Sequence, residues 1–350
     1  MHTQHCYAGT FFKHPSRFAI FVMLVSSSLL ASLMPAWSAI SGDDLDRCVD
    51  TIAHQGKVGR LGVSVLDFER GTKYLYHGNE HFPMQSVFKL PLAVVVLQLV
   101  DSGNLSLAQK LSIKREDLSV LYSPLAERFS GSEETFTVSD LIEKVVQESD
   151  NTACDVLLRL VGGPEHVTTA LKRHGIEGIS VDRYERQLQP SILGLPPIDP
   201  GQTIDRLKWQ KEKQHATGPR ARKAFAYYLN DDQRDSSTPD AMLSFLHKLY
   251  LCELLTPAST RYLLDVMAGT QTGSHRLREA LSPGCIIAHK TGTGPDLNGI
   301  NSATNDVGIV TLPTGRHFAI AVFLSGSSLT EPERDSVIRN VCNCVVTHIE

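Results

Sequence analysis

Leu45, Cys48, Val49 and Ile52 recur at helical spacing, and Leu61, Val63 and Val65 then alternate as a half-buried strand does. Glu69 to Thr72 make a turn, and Lys73 to Tyr76 return as a second strand. Near the other end, Ile286 to Thr293, Val307 to Leu312 and Phe318 to Leu324 read as strands, with a Pro313-Thr314-Gly315 turn between the last two. Val337, Ile338, Val341, Cys342, Val345, Val346 and Ile349 close the chain as a helical stripe. Between these ends the pattern is helical: Val87 to Val100, Val138 to Gln147, Ala153 to Val161, Val167 to Arg173 and Met242 to Cys252. The economical architecture is α/β in the α+β sense, an antiparallel sheet built from both chain ends and flanked by terminal helices, with an all-helical lobe inserted. The expected partition is a sheet domain of 39–85 with 271–350 and a helical domain of 86–270.

One stretch breaks the rhythm. Residues 195–235 pass through Pro196-Pro197, Pro200-Gly201 and Gly218-Pro219, and carry Arg206, Lys208, Lys211, Lys213, Arg220, Arg222 and Lys223. Such a basic, proline-marked segment reads as a solvated insertion.

The first 38 residues change where the protein is expected to work. Lys13 and Arg17 precede an apolar run from Phe18 to Trp37, and Ala36-Trp37-Ser38 supplies small residues at the −3 and −1 positions of a cleavage site. The segment reads as a secretory signal over 1–38, with an uncleaved membrane anchor as the alternative. The rest of the chain holds no second apolar span, so the mature protein is expected to be soluble and periplasmic or secreted. Lys13 and Arg17 are the only charges before residue 43, which leaves 32 basic against 38 acidic residues in the rest. That balance argues against a general nucleic-acid or anionic-membrane binder. Seven cysteines, without Cys-x-x-Cys, are too sparse for a disulfide scaffold or zinc knuckle, and most read as core residues. Cys48 and Cys342 lie on apolar helical faces at chain ends that should pack together, so a Cys48 to Cys342 disulfide is the pairing this pattern allows, with Cys344 pointing elsewhere.

Ser86-Val87-Phe88-Lys89 opens the most apolar helix. Positions i and i+3 share a helix face, so the Lys89 amine reaches the Ser86 hydroxyl, and a neutral amine beside a serine can take its proton. Burial next to another cation would depress the lysine toward neutrality. Pro91 cannot donate to the Val87 carbonyl, so this helix should start irregularly. A lone Ser-x-x-Lys is expected about once by chance at this length. Ser149-Asp150-Asn151, between two helical patterns, and Lys290-Thr291-Gly292, on a predicted strand, are each rarer, and all three motifs occur in order.

This ordered set is the signature shared by class A β-lactamases and penicillin-binding proteins. From about residue 42 onward the chain resembles the class A serine β-lactamases. Tyr122-Ser123-Pro124 matches the aromatic wall of that family's site. Arg183-Tyr184-Glu185 and Asp235-Ser236-Ser237-Thr238-Pro239 match the opening and closing of its omega loop. Met84 to Lys89 and Ala303 to Gly308 are similar to the extended-spectrum subgroup. The resemblance implies that Ser86 attacks the lactam carbonyl, with Lys89 as base directly or Glu185 through a water. It implies an oxyanion hole from the Ser86 and Thr293 backbone N–H groups, and proton relay by Ser149 to the departing nitrogen. Tyr122, Asn151 and Gln189 would meet the substrate's side chain. Lys290, Thr291, Gly292 and Thr293 would take its carboxylate, assisted by Arg276 unless that residue is an ordinary surface arginine.

Glu185 is expected to separate hydrolysis from trapping, because penicillin-binding proteins lack a glutamate placed to activate a deacylating water. The alternatives are a D-Ala-D-Ala carboxypeptidase and a sensor that is acylated and stays so. Two departures stand out. Gln189 occupies the place of the family's usual asparagine, and the loop from Arg183 to Asp235 is much longer than usual. An Arg183–Asp235 ion pair is expected to close the neck of that loop, and the neck rather than the insertion is expected to matter for catalysis. No metal or cofactor is implied, and the expected partner is a small-molecule β-lactam met by a monomer, with no membrane association after signal cleavage.

Overall fold

A computed structural model describes residues 42–199, 202–203 and 205–349; the expected signal peptide and its cleavage site lie outside them. Its centre is one antiparallel sheet of five strands: β1 (Arg60–Asp67), β2 (Lys73–Tyr76), β3 (Ile286–Thr293), β4 (Thr304–Thr311) and β5 (His317–Ser325). Their spatial order is β2, β1, β5, β4, β3, so strands from the two chain ends meet where β1 pairs with β5. Central β5 reads as an unbroken apolar run because both its faces are covered. Phe318, Ile320, Val322 and Leu324 pack with the terminal helices Gly42–Ala53 and Glu331–Ile349, while Ala319, Ala321 and Phe323 join the core of the helical lobe.

The lobe is organised around the helix Lys89–Asp101, which is apolar on every side and buried from Lys89 through Leu97. As Pro91 requires, the preceding turn Gln85–Phe88 is a 3₁₀ helix and regular α-helix begins only at Lys89. A hairpin of Lys110–Lys114 with Glu133–Thr137 and a helix Pro257–Ala268 also form, neither of which the periodicity announced. Among the described residues no helix is long and apolar enough to cross a membrane.

The insertion is largely solvated, but it is not irregular: it contains helices Arg206–His215 and Pro219–Asn230. Asp205 caps the first by accepting from the Leu207 and Lys208 N–H groups, and Pro219 occupies the first turn of the second. Ala221, Phe225 and Tyr228 follow one helical face into the lobe core, a stripe hidden in the sequence by the surrounding basic residues.

The expected Cys48–Cys342 pairing is corrected: a disulfide joins Cys48 to Cys344, with Cα atoms 6.2 Å apart, and Cys342 is a free buried thiol. Two residues along a helix turn about 200°, so Cys342 faces the sheet-side core while Cys344 faces the N-terminal helix. Replacing Cys344 by Ser is expected to cost about 2 to 4 kcal/mol of stability, read as a lowered urea midpoint. Non-reducing peptide mapping should recover the Cys48–Cys344 pair with Cys342 alkylated; recovery of a Cys48–Cys342 peptide would overturn the assignment.

Candidate active site

Ser86 and Lys89 sit one turn apart where the 3₁₀ segment meets the helix. Gln85, just before Ser86, is held at φ +48°, a conformation costly for a residue with a side chain. The sheet holds this turn in place: Asn305 Nδ2, on β4, donates to the carbonyls of Pro83 (2.8 Å) and Met84 (3.0 Å). On β3, a Cβ at position 292 would collide with the Met84 carbonyl and crowd Val87, so only glycine lets Lys290-Thr291-Gly292 run against the Ser86 turn.

Ser149-Asp150-Asn151 is built by capping. The Asp150 carboxylate accepts from the Ala153 N–H at the start of helix Asn151–Leu160, and from Leu125 N–H and Ser123 Oγ. One buried carboxylate thus fastens the segment after Tyr122 to Asn151. Ser149, at φ +59°, turns its hydroxyl toward Lys290, whose Nζ donates to Ser149 Oγ over 3.0 Å. Asn151 Oδ1 accepts from Lys89 Nζ over 2.5 Å, and the Ser149 carbonyl accepts from it over 2.7 Å.

Glu185 opens the helix Glu185–Ile192 and is fully buried. Its Oε1 lies 3.0 Å from Lys89 Nζ and accepts from Ser86 Oγ over 3.4 Å, while its Oε2 accepts from Gln189 Nε2 over 3.1 Å. The Glu185 N–H donates to Asp155, which burial and then the Glu185 charge push up to about 6. The neck of the long loop closes as expected: Arg183 Nε reaches Asp235 Oδ2 at 2.5 Å, and both side chains are buried. Asp232 adds a second carboxylate to the same guanidinium at 3.0 Å. Asp235 Oδ1 also accepts the backbone N–H groups of Asp182 and Arg183, so this carboxylate organises the chain as well as the charge.

Burial pulls Lys89 down, but the Glu185 charge and hydrogen bond pull the other way and leave the amine above its ordinary value. Lys290 is the depressed lysine, driven well below its ordinary value by burial and by the Lys89 charge.

These elements surround a cavity of about 650 Å³. Ser86, Tyr122, Ser149, Asn151, Gln189, Thr291, Thr293 and Arg276 line it; Lys89, Glu185 and Lys290 stand behind that lining with no exposed surface. Arg276 is no surface arginine: it is buried, pairs with Asp335 at 2.7 Å, and donates to Thr293 Oγ1 over 2.9 Å. Among the described residues no cluster of His, Cys, Asp and Glu is arranged to hold a metal ion.

Residues 44–349 match the beta-lactamase enzyme family. The chain belongs to that family. It is 32% identical to beta-lactamase VEB-1 of Pseudomonas aeruginosa, over 91% of this chain and 94% of that protein. The crystal structure of TLA-1 extended spectrum beta-lactamase superposes with a TM-score of 0.73 at 32% identity, covering 88% of this chain and 99% of that one. An ancestral class A beta-lactamase gives a TM-score of 0.69 at 32% identity, over 87% and 98%. These findings establish the serine β-lactamase fold and a class A, extended-spectrum-like relationship.

For this β-lactamase, several site residues were not singled out in the sequence. Gln85 bridges two elements: its Oε1 accepts from Gln189 over 2.9 Å, and its Nε2 donates to Tyr228 Oη over 2.5 Å. The insertion therefore touches the residue preceding Ser86, and Arg206, Trp209, Gln210 and Lys213 line the cavity itself. The spacing of those four, behind the Asp205 cap, was the available signal. Asp155 and Tyr228 carried none, because each acts through partners distant in sequence, as Asp232 does toward Arg183.

Removing the Asp235 carboxylate leaves Arg183 buried with only Asp232 and unties the two N–H groups. Asp235→Ala is expected to cost about 3 kcal/mol of stability. An unchanged urea midpoint would show that the neck closes without it.

Proposed function

We propose that this chain is an exported serine hydrolase that opens the β-lactam ring of penicillins and cephalosporins through an acyl-enzyme on Ser86, conferring antibiotic resistance. It works as a monomer in the periplasm or outside the cell. The observation that carries the reading is the Glu185 carboxylate at hydrogen-bond reach of both Ser86 Oγ and Lys89 Nζ. Lys89 directly, or Glu185 through a water, takes the Ser86 proton, and Glu185 later activates the water that releases the product. Lys89 keeps the forming alkoxide electrostatically favourable. Backbone N–H groups of Ser86 and Thr293 receive the oxyanion, a contribution of about 3 to 4 kcal/mol per donor in acyl-transfer enzymes.

Ser149, hydrogen-bonded to Lys290, gives its hydroxyl proton to the departing nitrogen and is reprotonated by the proton taken from Ser86, which leaves Glu185 a free carboxylate for deacylation. Lys290, Thr291, Thr293 and Arg276 form the seat of the ring carboxylate, while Tyr122, Asn151 and Gln189 flank the side chain. Gly292 contributes by giving β3 its close approach. A carboxypeptidase or a stably acylated sensor has no use for a carboxylate placed as Glu185 is, and the hydrolase reading takes precedence over both.

Purified protein should turn over nitrocefin and benzylpenicillin repeatedly rather than in a single stoichiometric burst. Ser86→Ala should lower turnover by about 10⁴-fold or more in folded protein. Glu185→Gln should accumulate a penicilloyl adduct on Ser86, visible by intact mass. Parent-rate turnover by Glu185→Gln would place the deacylating base elsewhere.

A further inference from the structure

The helix Arg206–His215 turns one face to the cavity. Arg206, Trp209, Gln210 and Lys213 stand at i, i+3, i+4 and i+7, and all four line it. Trp209 is only 4% exposed although the helix around it is largely solvated, so its indole forms part of the cavity wall. Arg206 is paired with Glu127 at 3.2 Å, which ties the first turn of the helix to the segment after Tyr122. That is the flank assigned above to the substrate's side chain.

The cations of this cavity differ in how they are used. Arg206 has Glu127 and Arg276 has Asp335. Lys213 is exposed, and no carboxylate among the described residues stands within ion-pair distance of it. Glu331 is the one acidic side chain in the lining among the described residues. A cavity wall that presents a flat aromatic ring and an unclaimed ammonium one turn later matches a ligand with an apolar body and a separate negative charge.

We propose that the insertion helix is a selectivity wall, in which Trp209 packs against the β-lactam's side chain and Lys213 pairs with a carboxylate carried on that side chain. The hydrolase thereby favours dianionic β-lactams over their monoanionic counterparts. This rests on the hydrolase reading above and adds a substrate class to it. Lys208, two positions from Gln210 and outside the cavity lining, pairs with Glu212 on the solvent side and provides an internal control for net charge.

Benzylpenicillin and carbenicillin differ by one side-chain carboxylate, so the ratio of their kcat/KM values isolates its recognition. Lys213→Ala should lower the carbenicillin-to-benzylpenicillin ratio about threefold to fivefold, the scale of a solvent-accessible ion pair. Lys213→Glu should lower it further, and Lys208→Glu should leave it within about twofold. High salt should bring the parent ratio down toward that of Lys213→Ala. An unchanged ratio in both Lys213 variants, or an equal loss in Lys208→Glu, overturns the proposal while benzylpenicillin hydrolysis still upholds the function. Failure of the folded parent to hydrolyse either penicillin overturns the function, and this inference with it.

Discussion

Lys89 lies wholly out of solvent, and its ammonium is satisfied by Glu185, Asn151 and the Ser149 carbonyl at once. An ammonium and a carboxylate taken out of water each cost several kcal/mol, recovered only when geometry and remaining hydrogen bonds are complete. The rest of the site follows from that demand. Asn151 must be presented by a capped helix, Ser149 must adopt a left-handed backbone to turn its carbonyl inward, and Glu185 must be delivered from a loop whose ends are pinned. A second buried lysine, Lys290, adds to the demand: burial and the Lys89 charge push it well below its ordinary value against the pull of Asp306 and Glu185.

Three of the seven non-glycine residues with positive φ among the described residues, Gln85, Ser149 and Asp235, directly precede or close an element that carries the site. Surrounding structure over-determines each of them: Gln85 by Gln189 and Tyr228, Ser149 by Lys290, and Asp235 by Arg183 and the backbone at 182 and 183. Local strain is thus held in place by long-range hydrogen bonds.

Legibility in the sequence followed the range of the interaction. Helices and strands with a clean period were recovered to within a few residues, Lys73–Tyr76, Val138–Gln147 and Ile286–Thr293 among them, because burial on one face imprints the pattern locally. The motif residues were legible because their chemistry restricts residue type at short spacing. What stayed hidden was set by contacts across the chain: that Glu185 reaches Lys89 Nζ, which of two nearby cysteines faces residue 48, and that Gln85 is stitched to an insertion 143 positions away. The insertion's helices were masked by their own solvated, basic faces, since composition dominated a short apolar stripe.

The bond between Cys48 and Cys344 spans 296 positions, so nearly the whole folded chain is one covalent ring. The turn at Thr217 and Gly218, exposed at Thr217 and lying between the two insertion helices, sits inside that ring. A protease meeting the enzyme there would cut the chain without parting it. Ser86 and Lys290 would remain on opposite sides of the nick, yet joined through the sheet and the disulfide. Where degradation begins with a single cleavage, topology itself becomes a form of durability.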